Sequence, residues 1–203
     1  MPQNEQSTQT LILEAALREF HQNGFKGART SRIAEAAGIS RTMLHYYFST
    51  KEALFEAVLN KTFGSVLPHF QRMVGQDLGV FDLLENLVEA IADMLEENPG
   101  LPSFVVNILN ESPELLLNIA GIGDERSPDL LDTVLEKARA QNLIRPDLRG
   151  EDLLIHIWGL CSTPYLLAPY IAVKEKRDAD QMRQFIRGRR KTVLALIVNG
   201  IKA

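Results

Sequence analysis

Apolar residues recur along this chain at three- and four-residue spacing, as in Ile12, Ala16 and Phe20 and again in Leu84, Val88, Ile91 and Leu95. That period puts them on one face of a helix. No stretch sustains the two-residue alternation of β-branched positions that a half-buried strand needs, so an all-α fold is expected. Turn-forming residues interrupt the pattern at Asn23-Gly24, Gly38, Phe48-Ser49, Gly75 to Gly79, Asn98-Pro99-Gly100, Gly121 to Pro128 and Arg145-Pro146. About nine helices follow from that punctuation. Three short ones come first, and longer ones with wider apolar faces come after residues 48–60. The expected organisation is a domain over residues 1–52 and a second over 53–203.

The short helices have specific local chemistry. Helix one is expected over about Thr8 to Gln22, ended by Asn23-Gly24. Thr30 suits an N-cap for helix two, with Ile33 and Ala37 facing the core and small Ala34 allowing close helix approach. Gly38 supplies the left-handed backbone that ends helix two. Ile39 then plugs the angle between helices, Ser40 caps helix three, and Leu44 is its buried anchor. Small contact, turn and anchor at this spacing make a helix-turn-helix. Ser49 and Glu52 read as a capping box, which places Lys51 in the first turn of helix four.

On that register Arg41, Thr42, Met43, His45, Tyr46 and Tyr47 belong to the second helix of the motif, which enters a DNA major groove. Arg41 suits guanine, Thr42 either base type, and Met43 a thymine methyl. Tyr46 and Tyr47 offer hydroxyls to phosphate, Tyr47 being also a core candidate. Lys51 and the helix-start N–H groups beside it suit a phosphate. The plainer alternative is an all-α core with tyrosines as packing. Glycine spacing, successive caps and clustered basic and aromatic residues together favour DNA binding.

Composition changes this picture little, and charge sharpens it. Apolar residues are 45% and charged residues 24% of the chain, a globular balance that argues against disorder. The polar start MPQNEQSTQT shows no secretory pattern, and no run approaches the ~20 apolar residues of a membrane span. The single cysteine, Cys161, excludes an intrachain disulfide framework and suits a reducing, cytoplasmic setting. Net charge is −4, yet Lys26, Arg29, Arg32, Arg41 and Lys51 face Glu35 alone between residues 26 and 51. A local basic patch on an acidic chain binds phosphate modestly, so dimerisation is expected to supply much of the affinity.

Residues 10–59 resemble the N-terminal domain of the tetracycline-repressor (TetR) family of bacterial transcription regulators. The matching pieces are Ala15-Ala16, Phe20, Gly24-Phe25, Thr30 through Ile33-Ala34, Ala37-Gly38-Ile39-Ser40, and Phe48 through Lys51-Glu52-Ala53-Leu54. The resemblance covers about a quarter of the chain and implies a helical homodimer with a C-terminal ligand-binding and dimerisation domain. Such a protein represses from a palindromic operator until a small molecule enters that domain. The family's DNA-contacting positions fall on Arg41, Thr42, Met43, His45, Tyr46, Tyr47 and Lys51, with Thr30, Ser31 and Ser40 at the helix starts. His45 departs from the family's usual tyrosine; an imidazole is shorter than a phenol and either donates or accepts.

The remaining residues suggest walls and faces. Asp82, Glu85, Glu89, Asp93 and Glu96 form an acidic stripe expected to be a solvated face. Pro164 and Pro169 are expected to kink or break the apolar segment from Leu153 to Val173, and a last helix is expected from Phe185 to Ile201. The resemblance implies that the two final helices form the dimer interface; an internal core fits them nearly as well. Arg187, Arg189, Arg190 and Lys191 are expected on a solvated or interface face. Met94, Phe104, Asn107, Trp158, Cys161 and Tyr165 are candidates for an apolar pocket with few polar groups. His156 and Cys161, five apart, face different directions and make a poor metal pair, so neither metal nor cofactor is expected. No phosphate loop or nucleophile constellation supports an enzyme or carrier. A constitutive or protein-sensing DNA-binding regulator is the alternative to a ligand-responsive one.

Overall fold

The structure, a computed structural model, describes residues 2–64, 72–73, 78–117 and 126–203. The turns expected at Gly75 and Gly121 lie outside the described residues. The helices are α1 (Pro2–Gly27), α2 (Thr30–Ala36), α3 (Arg41–Tyr47), α4 (Lys51–Phe63), α5 (Val80–Glu97), α6 (Leu101–Glu111), α7 (Glu114–Leu117), α8 (Arg126–Ala140), α9 (Gly150–Glu175) and α10 (Ala179–Ile201). Among the described residues, extended pairing is limited to one isolated bridge between Ile144 and Lys202. The fold is all-α. It divides into two compact units, residues 1–67 with 103–124 and residues 68–102 with 125–203.

In the first unit α1 packs on α2 and α4, and α2 packs on α3. Ile12, Ala15, Ala16 and Phe20 bury one face of α1, as their spacing requires. Helix α1 starts earlier than expected, and its break falls at Gly24, where φ is +65°. An aromatic cluster fills the centre. Phe20 meets Phe55 edge-on at 4.7 Å between ring centroids, Phe25 meets Phe55 at 4.8 Å, and Phe55 meets Phe104 at 5.6 Å. Each fully buried phenyl adds roughly 1.5–3 kcal/mol by leaving water. Phe104 is therefore a sealed core residue and not a pocket wall; α6 buries it and Ile108, with the Phe104 ring against His21 of α1 and Phe55 of α4.

In the second unit α9 lies along α10, both pack on α5, and α8 packs on α5 and α9. Its core joins Leu84, Leu87, Val88 and Leu95 to Leu131 and Leu135, Leu153 and Ile157, and Val193 and Ile197. Ile91, expected in that face, is half-buried, and Leu83 and Leu87 complete it instead. Pro164 and Pro169 do not break α9, which runs without interruption through both. Each proline forfeits one intrahelical bond, and burial of Leu153, Ile157, Cys161 and Pro164 on the packed face holds the helix together. Helix α10 begins six residues before the expected Phe185. Asp178 Oδ1 accepts the Gln181 N–H at 2.9 Å and Gln181 Oε1 accepts the Asp178 N–H at 3.0 Å, a reciprocal cap that starts the helix there.

Candidate nucleic-acid interface and regulatory cavity

The start of α2 corrects the expected cap. Thr30 is the first helical residue, half-buried, with Ser31 beside it, and Arg29 occupies the cap position without a side-chain bond. The missing acceptor comes from α1. Glu19 accepts the Arg29 N–H at 3.1 Å and lies 3.8 Å from the Arg32 guanidinium. A carboxylate at a helix N-terminus satisfies an orphan donor and complements the helix dipole.

The turn between α2 and α3 follows from Gly38, at φ +69°. The Gly38 N–H donates to Glu35 O at 3.0 Å and the Ile39 N–H to Ala34 O at 3.0 Å. These two bonds are a Schellman closure, and they bring half-buried Ile39 back over Ala34. Ala37, expected in the core, is the half-buried C-cap residue. Ser40 caps α3 as expected, its Oγ accepting the Met43 N–H at 3.1 Å.

Helix α3 buries Leu44 at 2% exposure and turns Arg41, Thr42, Met43, His45 and Tyr46 outward. Tyr46 is 77% exposed and meets half-buried Tyr47 edge-on at 5.4 Å. One anchor and five outward side chains leave a polar and aromatic surface with no packing duty. The cap of α4 is Thr50, not Ser49: Thr50 Oγ1 accepts the Ala53 N–H at 3.0 Å, so Glu52 does not close a box. Lys51 is the first residue of α4. Its ammonium donates to Lys26 O at 3.3 Å and lies 4.8 Å from the Phe25 ring centroid. Two of its three N–H groups are left for a phosphate.

Residues 12–58 match the model of the bacterial regulatory proteins of the tetR family. RutR, an HTH-type transcriptional regulator of Escherichia coli K12, is 58% identical over 50 residues, 25% of this chain and 24% of its own. The chain thus spans about a quarter of the length of that relative. NicS, an HTH-type transcriptional repressor of Pseudomonas putida, is 28% identical over 181 residues, 84% of each chain. Residues 12–58 are thus similar to the DNA-binding domain of the TetR family. The chain's fold is that of the transcriptional regulator FadR from Bacillus subtilis in complex with stearoyl-CoA, with a TM-score of 0.69 at 19% identity over 95% of this chain and 98% of the other. FadR from Bacillus halodurans, a fatty acid degradation regulator, gives 0.68 at 19% identity over 95% of each.

The second unit holds a cavity of about 280 Å³ between α5, α9 and α10. Of the residues proposed from the sequence for a pocket, Cys161 and Tyr165 line this cavity and Met94, Phe104, Asn107 and Trp158 do not. Helix α5 contributes Val88, Ala92 and Glu96, spaced by four, and Met94 sits some 200° around the helix from Ala92. Trp158 is a turn before Cys161, outside the lining, and Asn107 is half-buried on α6 of the first unit. Burial pushes the Cys161 thiol up to about 11. Burial, then the charge of Glu96, also raises the Tyr165 phenol. Both stay neutral at physiological pH.

The acidic stripe is not simply solvated. Arg190 bonds Glu89 at 2.8 Å, Asp93 at 2.6 Å and Glu96 at 2.8 Å, and Arg187 Nε bonds Glu96 at 2.7 Å. Burial opposes the charge on Arg190, but the bonds to Glu89 and Asp93 outweigh it and raise its affinity for the proton. The Arg187 bond holds Glu96 below the usual carboxylate range. Asp82 and Glu85 remain exposed. Arg187 and Arg190, expected on a solvated or interface face, bond to α5 about a hundred residues away, a pairing that no local signal marks. Among the described residues no cluster of three His, Cys, Asp or Glu is placed to hold a metal, and no helix is long and apolar enough to cross a membrane.

Proposed function

We propose that this chain is a cytoplasmic transcriptional repressor that binds a palindromic operator as a homodimer and releases it when a small molecule binds. The observation that carries the reading is α3, which buries Leu44 alone and presents Arg41, Thr42, Met43, His45 and Tyr46. Arg41, Thr42 and Met43 read base edges from the start of the helix, and His45, Tyr46 and Tyr47 reach towards the backbone. Thr30, Ser31, Ser40 and Lys51, at three helix starts, hold phosphates. Residues 1–52 read DNA in this scheme, and residues 53–203 dimerise and sense.

Dimerisation draws support from α9. Ile155, Leu166, Tyr170 and Val173 are exposed at 61%, 38%, 62% and 82% and share one helical stripe. Leu196 on α10 is 54% exposed, and the nearby Gly188 and Gly200 have open space where a β-carbon would stand. An apolar stripe with glycines beside it suits close contact with a second copy. The cavity in the second unit favours a small-molecule effector over a constitutive or protein-sensing regulator, and a ligand-bound regulator of the same fold adds to that.

Selection of bound fragments from a random DNA pool, followed by footprinting, tests the reading. Two inverted half-sites with centres about 34–36 Å apart, or a multiple of that, are expected. A single asymmetric footprint, or no enrichment above background, would overturn it.

A further inference from the structure

Arg189 lines the cavity from α10, and its Nε is buried without a hydrogen-bond partner among the described residues. The neighbouring arginines are engaged. Arg183 pairs with Asp180, Arg187 with Glu96, and Arg190 with Glu89, Asp93 and Glu96. Arg189 meets the face of Phe185, with its guanidinium carbon 5.8 Å from the ring centroid. A guanidinium cannot shed its charge, so a buried donor left in this way costs free energy until an acceptor arrives.

The rest of the wall defines the body of such an acceptor. Val88, Ala92, Pro164 and Val193 are apolar, and the Cys161 thiol and Tyr165 phenol are neutral. Glu96 is the one carboxylate in the lining, and two arginines already hold it, which leaves little for a cationic ligand. The 280 Å³ volume lies just under the range of about 300–1,000 Å³ typical of drug-sized ligands.

We propose that the cavity binds a small amphipathic monoanion, a carboxylate on an apolar chain or ring, with its head on Arg189 and its body against Val88, Ala92 and Pro164. The consequence for DNA rests on the repressor reading above; the binding does not. One uncommitted guanidinium in the lining selects a single negative charge, and the apolar wall selects against a sugar or a peptide.

Calorimetric titration of the full chain with octanoate, octylamine and 1-octanol separates head-group from body. Saturable binding of octanoate is expected, with 1-octanol weaker and octylamine weakest. Arg189→Gln should weaken octanoate by about 10-fold or more, through loss of a charge-assisted pair. Ala168→Phe, which fills the cavity, should abolish binding while far-UV circular dichroism stays that of the parent. No saturable octanoate binding, octylamine binding as tightly as octanoate, or an unchanged affinity in Arg189→Gln would overturn the proposal. A gel-shift arm distinguishes the two readings. Octanoate that binds without releasing DNA upholds the ligand class and removes its effector role. Release of DNA by another small molecule, with octanoate not binding, overturns the ligand class and leaves the repressor intact.

Discussion

The Glu111 carboxylate accepts the Lys26 backbone N–H at 3.0 Å, and one of its oxygens lies 2.7 Å from where a β-carbon on Gly24 would stand. The break at Gly24 leaves N–H groups of the final turn of α1 without helical acceptors, and the end of α6 supplies one. Lys26 O in turn accepts the Lys51 ammonium at 3.3 Å. Three elements therefore meet at one residue. A shift of α6 would be felt at the first residue of α4, directly after the reading helix.

Gly24→Ala should cost more stability than Gly38→Ala. Both place a side chain at positive φ, and Gly24, with ψ at 179°, lies in a region that essentially only glycine adopts, so its backbone strain is the larger. A methyl at Gly38 meets open space, whereas one at Gly24 displaces Glu111 and breaks its bond to Lys26. In Glu111→Ala the extra penalty of Gly24→Ala should shrink to its backbone part. Urea melts of the four proteins and the double variant measure this, and equal costs at the two glycines would refute the coupling.

Leu44→Ala and Arg41→Ala should separate fold from function. Leu44 is a buried anchor, so its truncation should cost roughly 2–5 kcal/mol of stability. Arg41 is exposed, so its loss should leave the unfolding free energy within about 0.5 kcal/mol of the parent. Operator affinity should fall by roughly 1–3 kcal/mol, with base preference relaxed at one position. Unchanged discrimination in a gel-shift series would place Arg41 away from the bases.

Tyr170→Asp combined with Val173→Asp should convert a micromolar dimer into a monomer. These side chains are exposed at 62% and 82%, so the charge costs the isolated chain little but sits badly in a desolvated interface. Light scattering gives the mass directly. A dimer that survives both changes would locate the contact elsewhere.

Acid should weaken the first unit through His21. Burial lowers its pKa, its Nε2 is buried without a partner among the described residues, and its ring lies 4.7 Å from that of Phe104. The unfolded chain binds the proton more readily, so stability is lost as pH falls below about 6.5 towards the depressed folded value. His21→Gln should flatten that part of the stability–pH curve. A slope unchanged by the substitution would assign the effect to other groups.

Much of the reading head was legible because its signals act within one turn of helix. Gly38, Ser40 and Leu44 each do locally what their chemistry dictates, and the turn closes through bonds no more than five residues apart. Thr50 and Ser49 are near-equivalent caps by chemistry, and backbone direction selects Thr50. The Asp178–Gln181 cap was equally local and equally readable, so the late start expected for α10 missed an available signal. Phe104, by contrast, carries no mark that separates a pocket wall from a core.

The repeat of apolar residues every three or four positions was enough for all-α architecture, for the helix-turn-helix and for the outward set on α3, since each depends on neighbours along the chain. The acceptor for Arg29, the partner of Lys26 and the three carboxylates around Arg190 came only with the fold, at separations of 10, 85 and about a hundred residues. Charge has no periodic signature that says which distant charge it will meet. That depends on which helix faces pack, because burial brings the groups together and desolvation sets what each contact is worth.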